Sequence, residues 1–537
     1  MGCGVRRAPG QEVESPVRAS RSSFARKRRA TLRVWCGVIF LTAFAACGPS
    51  NPSNGQSHNV LTIGFPEGSV AGAALGLGQL TSILTLEGLT QTYMSVDGRA
   101  LPRLAESWSW ENEGQRLRFT LRSGVTFHDG TQFTATVAAE ALSRAIARPA
   151  NRALYPSVGD ITSVHPDGDL ELVLDLARPS AFLPEELDLP LGIGAQNVGT
   201  GAFRLVRRDS EGAVLERFDR YYLGPARIEQ IVIRPSDTLR TSWSRLLRGE
   251  VDMVTDVPPE AVEFIQNDDI QVISFARSYQ FLIAFNSASA PLRSAAVRRA
   301  LNGAVNRDAL IKSVLQGQGE PATGPLWPHH WAYDASIPSF AFDPRGAASV
   351  LETAGFRLRA AERASARAPA RLRFTCLLPE DFSLLERVGL EVQKQLYDVG
   401  VDMAFEVVPI QEYDVRIREG RFDAVLVDMI SGPALARPHV FWGSARREGL
   451  HAFGYENAEA ARLFELLRTS TNEGAIRSAV SRLQRVLLDD PPALFLAWNQ
   501  RARAVRRNFR VAESGRDPLF TIWQWAENPD RQPVSTE

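Results

Sequence analysis

From Asn59 to Trp525 the chain keeps switching between short runs that alternate apolar and polar residues and longer stretches with apolar residues at helical spacing. A period of two puts alternate side chains on one face of a sheet, and a period of 3.6 gives a helix one apolar stripe. A chain that switches repeatedly must therefore layer helices on sheets. Strands are expected at Ala105–Trp110, Leu117–Arg122, Leu170–Leu176, Phe203–Arg207, Ala213–Phe218, Ile228–Ile233 and Val251–Thr255. Thr134 is placed to cap a helix running to Ile146, and a second helix over Thr238–Gly249 ends at glycine. A new segment opens with Tyr279-Gln-Phe-Leu-Ile-Ala-Phe-Asn286 and turns helix-rich, at Ser294–Leu315, Pro344–Ala354, Ser383–Val399, Ala458–Leu467 and Ala475–Asp489. Strands at Leu372–Leu378, Met403–Val408 and Asp423–Val427 lie between these helices, and Phe495–Trp525 reads as strand-like and aromatic. Asp97-Gly98 and Asp129-Gly130 mark tight turns. No repeat period emerges, and the class is α/β.

The N-terminus reads differently. Arg26-Lys27-Arg28-Arg29 and Arg33 precede Val34–Ala46, thirteen residues without a charge. A helix of that length is too short for a bilayer core of roughly 30 Å but suits the apolar region of a signal peptide. The run ends in Ala45-Ala46-Cys47-Gly48, followed by a polar stretch from Pro49 to His58. This arrangement resembles the lipobox of bacterial lipoproteins, which makes Cys47 the expected lipidation site and residues 1–46 the removed signal peptide. Phe44 departs from the usual aliphatic residue three places before the Cys. Acyl chains contribute about 0.8 kcal/mol per buried methylene, enough in combination to hold a water-soluble body at a membrane.

Charge and cysteines narrow the function. The whole chain has 61 basic and 61 acidic residues, but nine of the basic ones and only two of the acidic ones precede Cys47. The remainder is mildly acidic, which argues against nucleic acid as a partner because phosphate neutralisation needs a basic footprint. With Cys3 and Cys36 in the segment removed and Cys47 acylated, Cys376 stands alone in an apolar strand-like run and is expected in the core. No disulfide framework exists, so the core must stabilise the fold.

Six blocks in order carry a family resemblance. They are Leu86-Glu-Gly-Leu89 with Asp97-Gly98 and Pro102-x-Leu-Ala-Glu-Ser-Trp108; Leu117–Gly130; Gly199-Thr-Gly-Ala-Phe203; Arg220-Tyr-Tyr-Leu-Gly224; Leu247–Asp252; and Ala284-Phe-Asn286 with Val297–Leu301 and Val305-Asn-Arg307. Together, over roughly 59–525, they resemble the extracellular solute-binding proteins of bacterial peptide, dipeptide and nickel ABC importers. The resemblance implies a two-lobed periplasmic-binding-protein fold (type II-like) with an extra strand-rich subdomain in the first lobe. It places a linker at 47–58, lobe I at 59–92, 180–277 and 488–537, the extra subdomain at 93–179 and lobe II at 278–487. Gly199-Thr-Gly201 is expected to bend the chain at a lobe crossing, and Arg359–Arg373 reads as a surface insertion. Glu106, His128 and Arg298, which have catalytic side-chain types, are assigned structural roles within their blocks. Trp108, Trp110 and Phe119 read as core anchors.

The resemblance further implies a monomer without cofactor or catalytic residues, a solute held in the cleft, permease and ATPase partners, and an exported, anchored location. The sequence has no Gly-x-Ser-x-Gly elbow, no His-Glu-x-x-His and no phosphate-binding Gly-rich loop. His329-His330 offers only two metal ligands, fewer than zinc or nickel takes, so no metal site is assigned. Peptide-binding relatives place an aspartate after a lobe II strand to pair with the peptide ammonium; here Ser431 or Gly432 stands at that position, and Asp428 comes about three residues early. Asp428 has two readings, a displaced clamp or a strand carboxylate paired to a neighbouring Arg. The cleft residues expected from position are Tyr279, Phe281, Asp428, Ser431, Arg437 and Trp442, with a first-lobe loop over Ala73–Gln79. The ligand class stays open between a peptide-like solute and a metal complex or other non-peptide solute. An orphan periplasmic sensor or chaperone is the alternative to import.

Overall fold

The computed structural model describes residues 59–66, 76–358, 370–443, 453–512 and 514–531. The expected signal peptide, Cys47 and its linker, Ala73–Leu75 of the first-lobe loop, and residues 359–369 of the Arg/Ala-rich insertion lie outside them. No helix among the described residues is long and apolar enough to cross a membrane.

One sheet organises the molecule. From edge to edge its strands are Val401–Val408, Leu372–Pro379, Ala424–Ile430, Ile270–Phe285, Ala493–Arg506, Met253–Val257, Val60–Pro66, Gln230–Ser236, Gly212–Arg217 and Phe203–Asp209, with Gly319–Pro321 added beside Ala493–Arg506. Two of these strands are unusually long, at 16 and 14 residues, and are called the crossing strands below. At about 3.3 Å per residue the longer one extends about 50 Å. Its first half pairs only with the other crossing strand, whose far side carries Met253–Val257; its second half also pairs with Ala424–Ile430. The expected break at Tyr279 is therefore an interruption within a strand that already began at Ile270.

That interruption has a definite form. Ala276 faces Gln500, but the next pair is Gln280 with Trp498, so one strand advances four residues while the other advances two. Extra residues in one strand leave the ladder locally unpaired and re-aim their side chains. Here three residues, Arg277, Ser278 and Tyr279, stand opposite Asn499 alone.

Each half of the sheet has its own apolar core. One gathers Leu61, Ile63, Phe203, Leu215, Ile231 and Trp525; the other half is covered on both faces, by groups containing Phe285, Leu301 and Val388, and Phe464, Leu483 and Phe495. Cys376 lies in the second half, fully buried and paired in parallel with strands on both sides. Burial pushes its thiol pKa up, which keeps it protonated and inert.

A separate four-stranded antiparallel sheet is built from Ala105–Glu111, Arg116–Leu121, Glu171–Leu176 and Ile161–Pro166, in that order except that the last pair is reversed in sequence. Helix Ala135–Ala147 contributes Ala138, Ala141 and Leu142 to its core, and the Thr134 hydroxyl accepts from the Val137 N–H at 3.4 Å. Phe119 is fully buried there, whereas Trp108 and Trp110, on the edge strand, are only half-buried against it.

One expectation is corrected. Ser294–Leu315 is two helices, Ala295–Gly303 and Arg307–Ser313, because Asn306 caps the second through Ala309 N at 2.9 Å. The Arg307 guanidinium, buried between them, is held by the carbonyls of Ala322, Phe495 and Asn302. Gly199-Thr-Gly201 leads into a bend at Gly201 and Ala202. It packs on helix Leu77–Thr85, where a Cβ on Gly199 would sit 2.0 Å from the Thr85 carbonyl oxygen, so glycine is needed there for close approach.

Three of the sequence blocks meet at one buried carboxylate. Glu87 accepts from Thr200 Oγ1 at 2.8 Å, Tyr221 Oη at 3.0 Å and Tyr222 Oη at 3.1 Å, and pairs with Arg103 Nη2 at 2.5 Å. His128 similarly ties its block to Gly201 O at 2.9 Å, and Arg298 is buried among the carbonyls of Leu292 and Pro491 and the Asp490 carboxylate. Glu106 forms an exposed pair with Arg122. These residues hold segments together.

Candidate functional site

The extra residues of the first crossing strand project into a cavity of about 290 Å³. Arg277, Ser278 and Tyr279 form part of its wall, with the Arg277 guanidinium 3.6 Å from the centroid of the Tyr279 ring. Arg501 and Arg503 reach the same wall from the second crossing strand, where two-residue spacing puts both on one face. Phe65, Gln79 and Tyr93 come from one side of the crossing strands, and Ile430, Gly432 and Arg437 from the other. The cavity thus sits where the two halves of the sheet meet, at the small end of the range for ligand pockets.

Its charges fall into two groups. Around the crossing strands they are mutually paired. Arg503 makes two 2.5 Å bonds to Asp517 and also donates to Thr255 O. Arg501 lies 3.4 Å from Asp428 and 3.6 Å from Asp256, and Arg277 approaches Asp428 at 3.9 Å. Arg516 lies over Trp327 at 4.9 Å, and burial lowers its pKa.

The second group is Glu185, Glu186 and Asp188, which also line the cavity. Burial pushes the carboxyls of Glu185 and Glu186 up to about 8, helped for Glu185 by the charge of Glu186 and opposed for Glu186 by Arg437. Burial likewise raises Asp188 to about 6, against the hydrogen bond that Thr92 Oγ1 donates at 2.6 Å.

The expected site residues scatter. Tyr279 and Arg437 line the cavity together. Asp428 is held by Arg501 and Arg277, with Asn499 Nδ2 at 3.4 Å, so the paired reading describes its surroundings. Ser431 is buried, and its N–H donates to the Ser278 carbonyl at 2.9 Å, which ties it to the bulge from behind. Phe281 and Trp442 are not in the cavity wall. Phe281 lies in the core of the second sheet half, and Trp442 stacks on Phe453 at 5.3 Å, because large apolar side chains on those inward faces are covered by helices. Gln79 does line the cavity, but from helix Leu77–Thr85 rather than from a loop. His329 is exposed beside Glu320 at 2.9 Å, while His330 is buried with Nδ1 accepting from Ala332 N.

The three acids were missed by sequence reasoning, though a signal was present. They interrupt Phe182-Leu-Pro-Glu-Glu-Leu-Asp-Leu-Pro-Leu191, where a run so apolar leaves little room for solvated carboxylates.

Residues 99–445 match the model of the bacterial extracellular solute-binding proteins, family 5 (middle region). The chain is 22% identical to the oligopeptide-binding protein AppA of Bacillus subtilis, over 93% of this chain and 99% of that one. It is 28% identical to the glutathione-binding protein GsiB of Pectobacterium atrosepticum, over 57% of this chain and 60% of that protein, so it spans less than two thirds of that relative. The structure of NikA from Brucella suis in complex with Fe(III)-EDTA superposes with a TM-score of 0.76 at 20% identity, covering 87% of this chain and all of the other. The fold is therefore that of the two-lobed periplasmic binding proteins. By the extent of the family match, this chain belongs to the bacterial extracellular solute-binding proteins, family 5, which bind solutes for ABC importers rather than catalyse reactions.

Proposed function

We propose that this protein captures a small solute in the cavity at the crossing strands and hands it to the permease of an ABC importer. One observation carries the reading: the residues displaced from the crossing-strand ladder face a cavity walled from both sides. Lobe closure around such a site excludes water and strengthens every polar contact inside it. Tyr279 and Arg437 are the expected residues we retain as ligand contacts.

A cavity of about 290 Å³ favours a compact ligand, peptide-like or otherwise, over a long extended peptide. In this reading lobe I comprises 59–92, 180–277 and 488–537, the extra subdomain 93–179 and lobe II 278–487. The protein acts as a monomer, anchored through acylated Cys47.

Native mass spectrometry of protein purified from its own host tests the binding role. A retained small molecule supports it. An empty protein that gains no thermal stability from any small peptide or other solute offered would refute it. Radioactive palmitate should label the parent and not Cys47→Ser; equal labelling removes the anchor.

A further inference from the structure

We propose that Glu185, Glu186 and Asp188 form a recognition site for a cationic head group, an ammonium or guanidinium carried by a small organic solute. The inference rests on the cavity being the ligand site and names the chemistry of what enters it. Phe182, Leu183, Leu187, Leu189 and Leu191 are all buried and pin this segment in place, while the three acids among them line the cavity.

Their hydrogen bonding is incomplete. Glu186 is 3% exposed; its Oε2 accepts from Ser157 N at 2.6 Å, but Oε1 has no partner. Glu185 Oε2 is likewise buried without a partner. Buried carboxyl oxygens in native proteins are nearly always satisfied, and both residues line the cavity.

The charge balance points the same way. Among the described residues at this end of the cavity, Arg437 is the one cation; it lies over the Tyr155 ring at 5.5 Å and forms no ion pair within 4 Å. Three carboxyls face one guanidinium. An anionic ligand would oppose any carboxyl that ionises, and a neutral one would leave Glu185 and Glu186 held protonated by burial. An organic cation supplies the missing donors and can lie against the aromatic faces of Tyr93 and Tyr155.

The groups that face the site and titrate or carry charge are the three acids, Arg437 and the phenols of Tyr93 and Tyr155. Since burial holds protons on the acids, a cation must displace them as it binds. Binding therefore releases protons and tightens from about pH 6 to about pH 8.

Calorimetry and thermal shift on the full folded protein provide the test, with putrescine, agmatine, argininamide and dilysine as cationic probes. Butanediol and succinate serve as neutral and anionic controls of putrescine's length. At least one cation should bind at millimolar concentration while both controls fail. Its affinity should drop about tenfold or more in Glu186→Gln and in Asp188→Asn. These variants are nearly isosteric, and their own melting curves report folding; Glu185→Gln provides a third arm should either unfold. The proposal is overturned if no cation binds, if the variants bind undiminished, or if butanediol or succinate binds as well. A neutral or anionic molecule found in the cavity by native mass spectrometry also overturns it, while leaving the solute-binding reading intact.

Discussion

Glu87→Ala is expected to be among the most destabilising single changes in the chain that leave the cavity wall untouched. Glu87 is 4% exposed and the Arg103 side chain 14%, so both charges are largely withdrawn from water. Removing the carboxylate strands the guanidinium and takes away the acceptor for the hydroxyls of Thr200, Tyr221 and Tyr222. Breaking a buried pair by deleting one partner costs about 3–5 kcal/mol, and each orphaned buried hydroxyl adds about 1 kcal/mol. Tyr221 keeps a contact with Arg103 Nη2 at 2.6 Å, which moderates the total to roughly 5 kcal/mol.

Unfolding entropy of about 2.1 cal/mol/K per residue, over the folded body, converts this to a Tm lower by about 5 °C if the body melts as one unit. If the lobe holding Glu87 melts alone, the drop is larger. Differential scanning calorimetry at neutral pH reads it. Glu87→Leu combined with Arg103→Met should cost less than the sum of the two single changes, because no charge is left buried and alone. A Tm within about 1 °C of the parent for Glu87→Ala would mean that the pair does not carry this packing.

Three further outcomes follow from the same physics. Glu186→Gln should flatten the dependence of stability on pH: burial raises the folded carboxyl from 4.5 to about 8, so the unfolded chain binds fewer protons between those values. Stability is then lost as pH rises through that window, and the variant should gain about 1–3 kcal/mol over the parent near pH 8, read by urea titration. No gain at high pH would show that the carboxyl is not held protonated. Gly98→Ala should destabilise by about 1–3 kcal/mol, since φ is +80° and a Cβ would come within 2.7 Å of both the Pro433 carbonyl oxygen and the His330 ring. An unchanged urea midpoint would refute that close approach. Arg468→Met should lower stability by about 2–4 kcal/mol, because Arg468 is 2% exposed and bonds Asp160 at 3.1 Å and the Pro179 carbonyl at 2.9 Å; a neutral result would refute that this bridge contributes.

Much of the architecture was legible before any coordinates. Alternation marked the strands at Arg116–Leu121 and Glu171–Leu176, a capping side chain marked the helix after Thr134, and a terminal glycine marked the one before Gly249, because these signals are local and come from backbone geometry. The ordered blocks were legible through their family resemblance, and they hold Glu87, Arg103, Thr200, Tyr221 and Tyr222, which form a buried polar cluster. Local signals could not say that these five meet.

The cavity was far less legible. Phe281 and Trp442 have the aromatic character of ligand contacts, yet the sheet's pleat and the helices covering it put them in the core. Asp428 was visible as a carboxylate near the expected clamp, but only strand register placed Arg501 and Arg277 beside it. Glu185, Glu186 and Asp188 were overlooked although the apolar run around them signalled burial, because the space they line is formed by distant segments.

The sequence alone determined the layered α/β class and the family, since periodicity and block order require no knowledge of distant neighbours. Tertiary structure decided which side chains face the cavity. That choice hangs on a register slip between two long strands at Ala276 and Gln280, a property of pairing across more than 200 residues. The slip turns Arg277 and Tyr279 toward the cavity, and a segment about 90 residues earlier in the chain supplies the acids that also line it.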